Sequence, residues 1–188
     1  MDKENSLIIM FYKIFRFFAF YFFSLFYEKK YLKGYYFTKK RMGWYWAFID
    51  LKSKIIGANR SIPWPVNPQT IVSNNNVVFD VDDINIFQVP GCYWQCRDAK
   101  IYIGKGTMVA PNVGIITTNH DIYDVWRHVE GKEVILGEKC WIGMNAVILP
   151  GVELGPGTVV GAGAVVTHSF KEGFCVLGGV PARMIKKL

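Results

Sequence analysis

The chain is poor in histidine, with three in 188 residues, and poor in acid over its first third. Its four cysteines, Cys92, Cys96, Cys140 and Cys175, show no CxxC spacing. The Cys92–Cys96 pair lacks a second ligand pair nearby, so no metal site is expected. There is no GxSxG and no in-register Cys–His arrangement, which leaves no signal for an acyl-enzyme. No nucleic-acid motif accompanies the basic residues, so no nucleic-acid partner is expected. No small-residue cleavage site follows the apolar N-terminal run. A removable secretory signal is therefore not expected, and the cysteines read as reduced thiols of a cytoplasmic protein.

What the chain does have is a strict period of six. From Leu136 the sequence reads LGEKCW, IGMNAV, ILPGVE, LGPGTV, VGAGAV, VTHSFK. Leu136, Ile142, Ile148, Leu154, Val160 and Val166 share one phase, and Ile103, Val109 and Ile115 keep the same step in an earlier block. Four positions later come Cys140, Ala146, Val152, Thr158 and Ala164, small or β-branched until Phe170 breaks the pattern. Thr107 and Val113 fill that slot earlier. Neither a helix (period 3.6) nor a plain strand (period 2) gives a six. The hexad predicts one short strand and one turn per repeat, with three repeats closing a triangular coil. The aliphatic side chains stack inward, and glycine permits the corners.

Charge is unevenly placed. Residues 1–60 hold twelve Lys and Arg against four Asp and Glu, net +8, within a whole-chain charge of +7. The same segment contains LIIMFYKIFRFFAFYFFSLFY, Leu7 to Tyr27. It is long enough to span a bilayer, yet Lys13 and Arg16 interrupt it on one helical face. A charge near mid-span is expensive, whereas a helix in the headgroup layer keeps both wet. Three readings stay open: an interfacial helix with residues 7–41 on anionic lipid at the inner face of the membrane, a helix packed on its own protein, and a true span.

The organisation expected is a helical, aromatic and basic arm over 1–60, an extended Pro-rich linker over 61–70, and a repeat domain over 71–188. Within that domain residues 71–100 read as irregular first coils, with register lost near VPGCYWQCRD. Leu136 follows Ile115 by 21 residues, which is not a multiple of six. HDIYDVWRHVEGKEV therefore reads as a loop excursion at about 120–133, and loops inserted into a repeat scaffold usually build the binding face.

The segment VAPNVGIITTNHD, then EVILGEKCWIGMNAVILPGVELGPGTVVGAGAVVTHSF, then GGVPARMIKK, resembles the hexapeptide-repeat acyltransferases. It looks most like the galactoside/maltose acetyltransferase branch and its capsule and exopolysaccharide O-acetyltransferase relatives, over roughly residues 100–188. The resemblance implies a mainly β fold, a left-handed parallel β-helix, assembled as a homotrimer. It implies direct transfer of acetyl from acetyl-CoA to a hydroxyl, with a saccharide as acceptor. His120, in TTNHD, stands where the family keeps its base. A sugar hydroxyl barely ionises at neutral pH, so its proton must be taken as the oxygen attacks. Asn119 or Asp121 would orient the ring. Trp141, just before an inward aliphatic, points outward and matches the acceptor–pantetheine region; trimer packing is the other reading. The main chains of Gly143 and Met144 match the donors to the thioester oxygen. Ala162, Gly163 and Thr167 match the coenzyme channel, with Gly161 and Gly163 equally readable as corner glycines. His168 replaces a lysine near the coenzyme phosphates, and Arg183, in PAR, matches another phosphate neighbour. His128 reads as a solvated or acceptor-contacting residue.

The chain departs from the galactoside-type pattern at VPGCYWQCRD, which lacks an acceptor-binding asparagine. Tyr93, Trp94 and Gln95 could form a sugar-stacking surface there, or pack beneath the arm. Three histidines at these spacings do not suit a γ-class carbonic anhydrase, and the first sixty residues do not suit a serine acetyltransferase. An amino-sugar N-acetyltransferase and a non-catalytic β-helix scaffold remain as rival readings.

Overall fold

The structure is a computed structural model that describes residues 3–188, with side chains from Ile9 onward. Leu7 and Ile8, at the start of the aromatic run, fall before the described side chains. The arm is helical: α1 spans Lys3–Phe23, α2 Tyr35–Thr38 and α3 Met42–Ile56. The repeat domain is a prism of very short strands. One wall stacks β1 (Ile71–Val72), β3 (Tyr93–Gln95), β6 (Gly114–Ile116), β9 (Val147–Ile148) and β12 (Val165–Val166). The second stacks β2 (Val77–Val78), β4 (Ile101–Ile103), β7 (Val134–Leu136) and β10 (Glu153–Leu154). The third stacks β5 (Met108–Val109), β8 (Trp141–Ile142), β11 (Val159–Val160), β13 (Cys175–Gly178) and β14 (Arg183–Lys187). Pairing is parallel throughout, except that β14 folds back antiparallel on β13.

The hexad explains this architecture residue by residue. All nine in-phase aliphatics are buried, and so are Thr107, Val113, Cys140, Ala146, Val152, Thr158 and Ala164 in the smaller slot. Three aliphatic ladders, one from each wall, fill the core together with the small side chains at the corners. Backbone with positive φ recurs every six residues at Lys139, Asn145, Gly151, Gly157 and Gly163, which marks one corner per repeat. Glycine is obligatory at a different place. A Cβ on Gly143 would lie 2.7 Å from Ala162 N in the next coil, so the stacked turns touch through its bare backbone.

The first coils run from Ile71, with β1 and β2 in place before residue 80. Register is not lost at VPGCYWQCRD: Tyr93, Trp94 and Gln95 pair with Gly114, Ile115 and Ile116. The hexad is obscured because a 3-10 helix, Val81–Gln88, takes the place of the third-wall strand in the first coil. Residues 61–70 hold no helix or strand but do not run extended throughout: they turn at Pro68–Gln69, where Thr70 N donates to Asn67 O at 2.9 Å, and Ile62, Trp64 and Val66 are fully buried. Trp64 lies 5.1 Å from the rings of Tyr31, Phe79 and Phe87, and Phe87 lies 4.9 Å from Trp94. This aromatic stack joins the arm to the first coil, so the arm closes that end of the prism.

Asp50, buried in α3, fastens the join. Its Oδ2 accepts from Tyr27 Oη and from Val66 N, both at 3.1 Å. Burial pushes its carboxyl up to about 7. The α1 helix packs through Ala19 and Phe23, with Tyr27 just beyond it, while ten large apolar residues from Ile9 to Leu25 stay exposed. Among the described residues no helix is long and apolar enough to cross a membrane.

Candidate functional site

Residues 117–133 leave the prism at the corner between the first and second walls, after β6, and return at β7. They form a narrow antiparallel hairpin. Val129 N donates to Asn119 O at 3.0 Å and Asp121 N to Arg127 O at 2.8 Å, with His120 opposite His128. The tip turns on two aspartates: Asp121 Oδ1 accepts from Tyr123 N at 2.8 Å, and Asp124 Oδ1 from Trp126 N at 3.1 Å. Ile122, Tyr123 and Trp126 are 83%, 93% and 93% exposed there.

His120 sits where the hairpin leaves the prism. Its Nδ1 lies 2.6 Å from Val125 O. A carbonyl oxygen can only accept, so Nδ1 carries a proton, and in the neutral ring Nε2 keeps its lone pair. The ring is oriented by a backbone carbonyl across the hairpin. Asn119 or Asp121 was expected in that role, but the Asp121 side chain is spent on the tip turn. His128 is closer to the centre than a merely solvated residue would be. Its ring meets that of His120 edge-on at 4.5 Å, and its Nδ1 lies 3.6 Å from Asp98 Oδ2.

Gln95 is the supporting residue that the sequence did not single out in this role. Its Oε1 accepts from Thr117 N at 2.9 Å, Thr117 Oγ1 at 3.0 Å and Thr118 N at 3.1 Å. Its Nε2 donates to Thr118 O at 3.3 Å. One amide thus holds both residues from which the hairpin departs. Trp94 is 1% exposed, in register with inward Ile115 and against Phe87, and the Gln95 amide is taken up by Thr117 and Thr118, so of the three only Tyr93 is exposed.

The remaining candidates lie elsewhere on the prism. Trp141 stands on the third wall, 58% exposed, between Met108 and Val159. Met144, Ala162 and Gly163 gather at the corner between the third and first walls, where Gly163 N donates to Met144 O at 2.8 Å. Gly143 N donates to Val160 O at 2.8 Å, so that donor is committed to the coil ladder, and Met144 is left as the candidate main-chain donor. Gly163 has φ +70 and nothing within 4 Å of an added Cβ, which leaves open space beside it. Thr167 and His168 lie at the His120 corner but beyond β12, with Thr167 Oγ1 3.2 Å from His168 Nδ1 and the His168 ring 4.7 Å from Phe170. Arg183 is exposed on β14, its Nη1 donating to Ala182 O at 3.0 Å. Within one chain, His120 and Trp141 therefore occupy different faces of the prism.

All four cysteines are free and buried, and burial raises the thiols of Cys92, Cys96 and Cys140. Packing accounts for them. Among the described residues no cluster of three or more His, Cys, Asp or Glu could hold a metal ion.

Three parallel walls wound from six-residue steps define a parallel β-helix of hexapeptide repeats. Residues 133–168 match the family described as "Bacterial transferase hexapeptide (six repeats)". The chain is 37% identical over 100 residues to a putative lipopolysaccharide biosynthesis O-acetyl transferase of Escherichia coli, covering 47% of this chain and 50% of that protein. It is 34% identical over 94 residues to galactoside O-acetyltransferase of Escherichia coli, covering 48% and 46%. It thus spans about half the length of the curated relatives it matches. Among solved structures, a maltose O-acetyltransferase from Clostridium difficile superposes with a TM-score of 0.48 at 32% identity, covering 68% of this chain and 63% of that one. Galactoside acetyltransferase in complex with coenzyme A gives 0.47 at 30% identity, covering 51% and 48%.

Proposed function

We propose that the protein is an acetyl-CoA-dependent O-acetyltransferase acting on a saccharide hydroxyl in capsule or exopolysaccharide synthesis, peripheral to the inner face of the membrane. The observation that carries the reading is the 2.6 Å contact from His120 Nδ1 to Val125 O. It leaves Nε2 as the acceptor a general base requires. In the reaction the acceptor oxygen attacks the thioester carbon while Nε2 takes its proton. The C–S bond then breaks, and the departing thiolate recovers that proton from the imidazolium. The Met144 N–H is the candidate donor to the oxyanion. The relatives' names point the same way, towards O-acetylation of sugars.

The placement of the residues supports a shared site. His120 projects from one corner, whereas Trp141, Met144 and Gly163 lie on and beside the third wall. A second copy that brings its third wall against the first copy's hairpin would unite them, and three copies close the ring. The pantetheine arm would pass the open space at Gly163. Arg183 and His168 would reach the coenzyme phosphates.

The test is release of coenzyme A thiol by the purified protein across a panel of free and lipid-linked glycans. Turnover with at least one glycan hydroxyl is expected. No release with any acceptor, or release only with amino sugars, overturns the reading.

A further inference from the structure

We propose that the groove between α1 and the connector to α2 seats the phosphate of an anionic phospholipid, and that the exposed aromatic flank of α1 lies in the headgroup layer beside it. This rests on the proposed function only for the side of the membrane concerned.

The groove has a volume of about 700 Å³ and is lined by Lys13, Arg16, Lys33, Phe17, Phe20 and Leu32 among others. Three cations thus stand over an aromatic floor, and the Lys33 ammonium lies 5.8 Å from the Phe20 ring centroid. Two of them come from adjacent turns of one helix and the third from a separate segment, so they converge on a common space. The described acidic side chains of the arm do not neutralise them. Glu28 pairs with Lys30 at 2.9 Å, and Asp50 is buried in its clasp with Tyr27 and Val66. Among the described residues no ion pair reaches Lys13, Arg16 or Lys33.

Charge selects the occupant. Phe11, Ile14, Phe15, Phe18 and Phe22 are exposed on the same helix, a larger apolar face than a lone soluble protein leaves open. A second protein chain would have to bury unpaired lysines in a dry interface, where lysine is depleted. A lipid headgroup layer supplies phosphate for the cations and an apolar boundary for the rings. Spanning is excluded by the helix itself, since Lys13 and Arg16 fall near its middle.

The experiment is flotation of the full-length protein with vesicles of phosphatidylcholine alone or mixed with phosphatidylglycerol, at low and high salt. Flotation is expected with the anionic vesicles and is expected to weaken with salt. Each surface charge contributes about fivefold in partitioning, so the Lys13→Ala/Arg16→Ala/Lys33→Ala variant should bind roughly a hundredfold more weakly. These side chains are exposed, and an unchanged circular dichroism spectrum verifies the variant's fold. Phe17→Ser/Phe18→Ser should weaken binding at low and high salt alike. The proposal is overturned if the protein does not float, if it floats equally with phosphatidylcholine alone, or if the triple variant binds as well as the parent. It is overturned equally by self-association that is lost in Phe17→Ser/Phe18→Ser and replaces flotation, since a second copy would then cover the face. None of these readouts needs turnover, so they stand or fall apart from the acetyl-transfer assay.

Discussion

The Gln95 side chain grips Thr117, its Oε1 2.9 Å from the backbone nitrogen and 3.0 Å from the hydroxyl. Through that grip the third residue of β3 sets the point from which the hairpin that carries His120 leaves β6. The grip is local, but its consequence is carried three residues on to His120. Gln95→Ala should lower kcat about tenfold to a hundredfold, the usual cost of a misplaced group. The KM for acetyl-CoA should not change, because Gln95 is far from the Gly163 corner. Gln95→Glu keeps the three acceptor contacts and should recover most of kcat. Steady-state kinetics of the two variants decides whether Gln95 is a positioning residue.

The tautomer of His120 is directly observable. Nitrogen NMR of the labelled imidazole should show the proton on Nδ1 in the neutral protein, as the Val125 carbonyl demands. A proton on Nε2 would leave no base facing the acceptor.

Subunit sharing predicts complementation. His120→Ala and Trp141→Ala chains should each assemble as trimers of three 21.5 kDa subunits and be nearly inactive alone. Unfolded and reassembled together at equal amounts, they should regain about a quarter of the parental activity, the fraction of interfaces pairing an intact His120 with an intact Trp141. No recovery from verified mixed trimers would place both residues in one subunit's site.

Asp50 gives the arm a pH dependence with a definite sign. Its carboxyl is raised to about 7 in the folded chain, chiefly by burial, above the ordinary value of 3.8. Tyr27 and Lys54 face it. Between those values the folded state binds the proton more tightly, so stability is greatest near pH 4 and falls as pH rises through 7. The melting temperature should therefore drop by several degrees from pH 5 to pH 8 and flatten in Asp50→Asn. A melting temperature that rose over this range, or was equally steep in the variant, would remove Asp50 as its cause.

The prism was legible because each hexad reports its own burial: Leu136 through Val166 step by six, and every one is inside. The first coils were legible only as irregular ones, their register hidden because a 3-10 helix at Val81–Gln88 stands in for a strand and breaks the spacing. His120 could be placed by its neighbours Thr117, Thr118 and Asn119. Its orienting partner could not, since a Val125 carbonyl carries no side-chain signature. Gln95 was hidden for a related reason: its value lies in a ladder register that the sequence did not display. In the linker, Pro63, Pro65 and Pro68 announced extension, which the turn at Pro68–Gln69 interrupts, and the burial of Trp64 depends on Tyr31 and Phe87, which are remote in sequence.

Glycine roles separate cleanly and can be tested. Gly143→Ala drives a Cβ to 2.7 Å from Ala162 N and Val160 O and should unfold the prism at a markedly lower temperature. Gly163→Ala meets no atom within 4 Å and should cost only about 1–2 kcal/mol of left-handed backbone strain. Thermal melts compare the two, and similar losses would contradict the stacking account.

The central claim is that His120 removes the proton of a sugar hydroxyl. Mass spectrometry of an acceptor glycan incubated with acetyl-CoA and either parent or His120→Ala protein tests it most directly. The parent should form a base-labile acetyl ester, and the variant should form it about 10²–10⁴-fold more slowly while remaining folded. Ester formation at an undiminished rate in the variant would contradict the account.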